Sequence, residues 1–140
     1  MSRILGIDFG TRRIGLALSD PTGTLASPLP FLENTGLREV SAKLRELIET
    51  HGVETVVIGL PRNMDGTYGP SAEKVREFIT QIQPGLSARM IAQDERLTTA
   101  QASRDLSQMG LSQKELRKKV DSSSAAIILQ QFLDRNRPHP

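Results

Sequence analysis

The stretch RILGIDFGTRRIGLALSD, residues 3 to 20, decides how the rest of the chain is read. Its first part is apolar and strand-like, yet Asp8 stands inside it, with Gly6 and Gly10 close on either side. A charge in an apolar strand is expensive unless it is paired or holds a metal. Further on, Ile14, Leu16 and Leu18 alternate with Gly15, Ala17 and Ser19, the period of a strand with one large-residue face. Two strands, over 3–9 and 14–20, joined by the turn Gly10-Thr11-Arg12-Arg13, therefore open the fold. Asp20-Pro21-Thr22-Gly23 marks a second turn. The third strand, over 24–32, contains Pro28 and Pro30, which confines it to a sheet edge.

The pattern then changes period. Val40, Leu44, Leu47 and Ile48 recur at helical spacing, and His51-Gly52 stops that helix. The β-branched run VETVVIGL, residues 53–60, reads as a buried strand ended by Pro61. A polar loop follows, and then a helix carrying Val75, Phe78, Ile79 and Ile82. Residues 88–95 read as a fifth strand, and Thr98 or Thr99 caps a further helix ending near Gly110. The basic stretch SQKELRKKV reads as a hinge-like connection, with the last helix starting near Asp121. This order predicts a mixed five-stranded sheet, a three-strand antiparallel meander plus parallel strands, with helices on both faces.

At 140 residues the chain fits a single domain with a frayed tail over about 136–140. It has no cysteine, which excludes disulfides and thiolate metal sites and fits a reducing compartment. The apolar start is too short for a signal peptide, and no run approaches the roughly 18 residues of a membrane span. A cytoplasmic protein without membrane attachment is expected. The net charge of +2 permits nucleic-acid binding without arguing for it.

Acids stand at element ends: Asp8 late in the first strand, Asp94 and Glu95 at the end of the fifth, Asp121 before the last helix. Convergent carboxylates need a cation between them, and hard oxygen donors without Cys or His select Mg²⁺ or Mn²⁺. Two such ions can stabilise the attacking water and the leaving oxygen in phosphodiester cleavage. Asp94 and Glu95 are neighbours in a strand and point to opposite faces, so one of them joins the site. The plainer alternative makes each acid a turn residue or, for Asp121, a helix cap.

Four segments, GIDFGTRRIGLA, VVIGLPRNMDGT, DERLTT and VDSSSAAIIL, together resemble the YqgF family, also called RuvX. Its members are associated with cleavage of pre-16S rRNA and with resolution of Holliday junctions. The resemblance runs from residue 4 to about residue 133. It implies an RNase H-like fold and a metal-binding catalytic triad of Asp8, Glu95 and Asp121. Asp94, on the other face, is then expected to hold the following backbone or an arginine. The resemblance also implies a hydrolase that matures the 5′ end of the small-subunit ribosomal RNA, with four-way DNA cleavage as the alternative substrate.

Cations surround the proposed edge. Arg12, Arg13, Arg62 and Arg96 each follow a strand end, and Lys118 and Lys119 lead into Asp121. They suit phosphate contacts, although a solvated face explains the lysines equally well. Gly10, Thr11, Asn63 and Ser122 complete the candidate substrate-binding set; Ser122 is expected at a helix N-terminus, a natural phosphate seat. The expected partners are pre-rRNA or branched DNA, and ribosomal precursor particles. A junction resolvase cuts two symmetric strands and favours a homodimer, whereas an RNA trimmer need not be one, so monomer and homodimer both stay open. Two rivals compete with this reading: an actin-like kinase, which needs two such domains around its nucleotide, and a non-catalytic ribosome-assembly module.

Overall fold

A computed structural model describes residues 3–63, 65–95 and 113–136, with residue 95 and residues 113–123 described in their backbone only. The chain opens with β1 (Arg3–Asp8), β2 (Arg13–Ser19) and β3 (Ala26–Glu33). Next come α1 (Leu37–His51), β4 (Val53–Pro61), α2 (Pro70–Ile82), a 3-10 turn at Gln83–Gly85, and β5 (Arg89–Glu95). α3 (Gln113–Arg135) follows. The five strands form one sheet in the order β3-β2-β1-β4-β5. β1, β2 and β3 pair antiparallel, while β1, β4 and β5 pair parallel. The expected mixed sheet with an antiparallel meander is therefore present. The expected helix from Thr98 or Thr99 to Gly110 lies outside the described residues, as do Arg96 and the end of the tail.

Local chemistry explains the elements. Val40, Leu44 and Ile48 recur every four residues and form the buried stripe of α1. Gly52 ends that helix in the left-handed region, at φ 64°, and donates its N–H to the Ile48 carbonyl. Pro70 opens α2, where a missing N–H does no harm. β4 runs through the middle of the sheet and is buried from Val56 to Leu60, as its apolar run predicts. β3 lies at the edge, where Pro28 and Pro30 are exposed and interrupt no central ladder.

The two faces of the sheet are covered differently. On one, Leu5, Ile7, Leu16, Val56 and Ile58 pack with Leu44 and Ile48 of α1 and Val75, Phe78 and Ile82 of α2. Each such side chain, fully buried, contributes about 1.5–3 kcal/mol. On the other, Ile4 and Ala17 meet Ala125, Leu129 and Leu133 of α3. Alanines and Gly6 stand among the larger residues of that second layer, and at Gly6 α3 comes very close to the sheet. A Cβ added at Gly6 would lie 2.8 Å from the Leu129 Cβ and 3.0 Å from the Ala125 carbonyl oxygen. Gly6 is bare because a helix occupies its space, not because a ligand needs room there. No helix among the described residues is long and apolar enough to cross a membrane.

One expectation is overturned. The last helix begins at Gln113, not near Asp121, so the basic stretch is helical backbone rather than a hinge. The reason is propensity: Lys, Glu, Leu and Arg are good helix formers, and no Gly or Pro stands between Gly110 and Pro138. Ser122 consequently lies well inside α3, where its backbone N–H belongs to the helix ladder. The phosphate seat expected at a helix N-terminus is not there.

Gly6→Ala should destabilise the protein by about 1–3 kcal/mol through overpacking of α3. Gly85→Ala is the control, since its Cβ would meet only the side-chain ends of Arg45 and Ser41 at 3.8 Å. Urea titration should lower the midpoint for Gly6→Ala alone, with an unchanged slope.

Candidate active site

The site is set by one row of residues running across the sheet on the α3 face. Leu5 and Ile7 of β1 face α1 and α2, so alternation turns Ile4, Gly6 and Asp8 toward α3. Asp8 ends β1, is half-buried, and pairs with Gly15 of β2. On its other side, Ile7 pairs with Ile58 and Ile58 with Ala92, so the next positions along are Gly59 and Gln93, themselves paired. The row therefore reads Gly15, Asp8, Gly59, Gln93. A carboxylate with glycine in both neighbouring strands stands over bare backbone. Neighbouring strands lie about 4.8 Å apart, which puts the Asp8 and Gln93 backbones about 10 Å from each other.

α3 roofs this row. Ala125 and Leu129 sit over Gly6, and the buried Gln93 donates its Nε2–H to the Ile128 carbonyl at 2.7 Å. Asp121 lies one helical turn before Ala125 in the α3 backbone, on the same side of the helix by the 3.6-residue period. Gln130 Oε1 accepts from the Ala26 N–H, which is level with Ser19 and Ile4, whereas the Ile128 carbonyl meets Gln93 in the row of Asp8, so the earlier turns of α3 lie toward the Asp8 end. Glu95 ends β5 opposite Pro61, two positions beyond Gln93 and so on the same face by alternation. The side chains of Glu95 and Asp121 lie outside the described ones, and no group of three acidic or histidine residues that could hold a metal occurs among the described residues.

Asp94 takes the opposite face. Its Oδ2 accepts a hydrogen bond from Arg62 Nη1 at 2.8 Å, and its Oδ1 accepts one from the Tyr68 hydroxyl at 2.5 Å. Donation to this carboxylate is the main cause that pushes the Tyr68 phenol above its ordinary pKa. Two guanidiniums lie against the Tyr68 ring, Arg62 at 5.4 Å and Arg76 at 4.8 Å from its centroid. Arg62 Nε also donates to the Gly66 carbonyl at 2.8 Å. Asn63 Nδ2 donates to Thr67 Oγ1 at 3.0 Å, and Asp65 Oδ1 accepts from the Thr67 N–H at 2.9 Å. The loop between β4 and α2 is thus folded on itself and pinned to the end of β5. Arg62 and Asn63, expected as substrate contacts, serve as its internal ties.

The turn after β1 is held from outside. Asn34 donates its side-chain amide to the Gly10 carbonyl at 3.0 Å and its backbone N–H to Arg12 at 2.8 Å. A Cβ at Gly10 would meet the Arg13 carbonyl at 2.4 Å, so the tightness of this turn excludes a side chain. Thr11 and Arg12 are exposed, while the Arg13 guanidinium lies 5.0 Å from the centre of the Phe31 ring. This turn and the Arg62 loop both leave the carboxyl ends of parallel strands, the usual ligand edge of such sheets. Lys118, Lys119 and Ser122 lie in the α3 backbone with side chains outside the described ones. Sequence reading missed Gly15, Gly59 and Gln93. The signal was available, since glycine inside a strand marks close approach by something else.

Comparison with known proteins agrees with this architecture. A family model described as "RuvX: Holliday junction resolvase" matches residues 2–135. A protein of Moorella thermoacetica named "Putative pre-16S rRNA nuclease" is 45% identical over 133 residues, covering 95% of both chains. One of the same name from Acetivibrio thermocellus is 44% identical, covering 94% of this chain and 95% of the other. Among solved structures, Thermus thermophilus RuvC bound to a Holliday junction superimposes with a TM-score of 0.57 at 14% identity, covering 95% and 94% of the two chains. The Fowlpox virus resolvase with its junction gives 0.56 at 13% identity, covering 95% and 97%. These two likenesses concern the fold. The family match over nearly the whole length, with relatives this similar, makes the chain a member of the RuvX family of nucleases.

Proposed function

We propose that this RuvX-family nuclease hydrolyses phosphodiester bonds with a bound divalent ion, and that its substrate is the 5′ region of pre-16S rRNA. The observation that carries the reading is Asp8 in its glycine-flanked row, at the carboxyl end of β1 and under α3. Asp8, Glu95 and Asp121 would hold the ion. The donor set fits: all are hard carboxylate oxygens, which suit Mg²⁺ or Mn²⁺. Gln93 adds a buried carbonyl oxygen, Oε1, without a hydrogen-bond partner among the described residues, a polar atom that suits a hydrated ion nearby. When bound, such an ion or pair of ions stabilises charge on the attacking water and the leaving oxygen.

The chain's own residues supply the rest. The strand ends fix the carboxylates more rigidly than loops would. Gly15 and Gly59 place no side chain beside Asp8 in the neighbouring strands. Arg12 on the turn after β1, together with Arg96, Lys118 and Lys119, would offset the repulsion between an acidic centre and a polyanion. Asp94 takes no part in holding the ion, because it is committed to Arg62 and Tyr68 on the other face. The relatives' names favour RNA. The family description and the RuvC likeness favour four-way DNA as the second reading, which carries with it a homodimer. Cytoplasmic ribosomal precursor particles are the natural setting for the first. A cleavage panel of pre-16S rRNA fragments, single-stranded RNA and four-way junctions, each with Mg²⁺ or Mn²⁺, separates the two. No cutting under any condition would leave the assembly-module reading.

Asp8→Asn, Glu95→Gln and Asp121→Asn should each lower kcat at least about 100-fold, the scale of losing one charge-stabilising group at the reacting centre. Asp94→Asn should stay within about tenfold of wild type, since it loosens only a half-exposed pair worth up to about 1 kcal/mol. Strong loss in Asp94→Asn with a mild effect in Glu95→Gln would reverse the assignment.

Neutralising both Lys118 and Lys119 as glutamines should weaken RNA binding without regard to sequence. Each phosphate contact contributes ~0.7 to the slope of log affinity against log salt on single strands, so the slope should flatten by about 1.4. An unchanged slope makes these lysines a solvated helix face.

A further inference from the structure

Gln93 is a buried polar residue whose tie to α3 has so far been given no role. It lies in a parallel strand and is 4% exposed, where an apolar side chain would be the ordinary choice. Its Nε2 donates to the Ile128 carbonyl of α3, while its Oε1 is buried without a partner among the described residues. A buried carbonyl left without a donor is unfavourable, and a methionine of similar length would fill the same space without that penalty.

Position explains what the amide can do. Gln93 is the one residue whose side chain, among the described hydrogen bonds, ties β5 to α3. Those two elements carry Glu95 and Asp121. Glu95 follows Gln93 by two residues on the same face, and Ile128 follows Asp121 by two helical turns. Gln93 also closes the row that contains Asp8, separated from it by the bare Gly59. A divalent ion such as Mg²⁺ keeps several of its waters when bound by carboxylates. Those waters are donors, and a spare buried carbonyl at the end of the row is an acceptor for one of them.

Resting on the metal-nuclease reading above, we propose that Gln93 is a positioning residue of that centre. Its Nε2–H fixes β5 to α3 and so sets Glu95 against Asp121. Its Oε1 receives a hydrogen bond from a water in the shell of the bound ion. Outer-shell partners of this kind change metal affinity by roughly 10–100-fold when removed.

The test is Gln93→Met in the full chain, with Mn²⁺ as the probe and wild type and Asp8→Asn as references. Metal-free Gln93→Met should melt at or above the wild-type temperature, because the unpartnered carbonyl is gone. Its Mn²⁺ affinity, read by calorimetry, should fall about tenfold. On pre-16S rRNA, kcat should fall with it while KM stays within about twofold, a split expected for a group acting at the centre rather than on substrate binding. Gln93→Asn keeps the amide but is a methylene too short for Ile128; it should show the same loss, and it decides the matter if the methionine variant melts early. Wild-type Mn²⁺ affinity and kcat in these variants would overturn the role of Gln93 alone, provided Asp8→Asn abolishes binding. Absence of Mn²⁺ binding by wild type would overturn the metal reading and this inference together.

Discussion

The close approach of α3 to β1 at Gly6 is the constraint on which the proposed site depends. Any side chain at that position would meet the Leu129 Cβ or the Ala125 carbonyl. With glycine there, the helix lies almost on the strand, and small residues, Ala17 and Ala125, fill the thin layer between them. The same contact sets how far the earlier turns of α3 stand from the carboxyl end of β1. A thicker layer would lift the earlier turns of α3, which carry Asp121 in their backbone, off the sheet.

The two faces of the sheet divide the work accordingly. The α1 and α2 face holds the large side chains and supplies most of the hydrophobic stabilisation. The α3 face has a smaller cluster, in which alanines stand beside Ile4, Leu129 and Leu133, together with Gly6 and a few polar groups. Its buried amide at Gln93 and half-buried carboxylate at Asp8 are departures from an apolar core of the kind expected at functional positions. The opposite face at the end of β5 is held by a surface device instead, the Arg62, Asp94 and Tyr68 cluster. That pair is exposed, so its worth lies less in energy than in fixing which way the strand end and the neighbouring loop run.

Much of the fold was legible in the residues themselves. Alternation in Ile14, Leu16 and Leu18, the turn residues after Asp8 and Asp20, and the prolines of β3 led to the meander and its edge. The arginine expected for Asp94 is Arg62. The start of α3 was misread because a run of lysines was judged by charge instead of helix propensity. The row containing Asp8 was missed because Gly15, Gly59 and Gln93 are distant in sequence and meet only through strand register. The reason for Gly6 is not legible in its own strand, since its neighbour, Leu129, lies at the far end of the chain.

The central claim is that Asp8, Glu95 and Asp121 share a divalent ion beneath α3. A crystal of the protein grown with Mn²⁺ and measured at the manganese absorption edge tests it most directly. The account predicts an anomalous peak within coordination distance of the Asp8 carboxylate, with Glu95 and Asp121 as its other protein ligands. A peak bound elsewhere, or three carboxyl groups too far apart to reach a common ion or ion pair in the metal-loaded crystal, would contradict it.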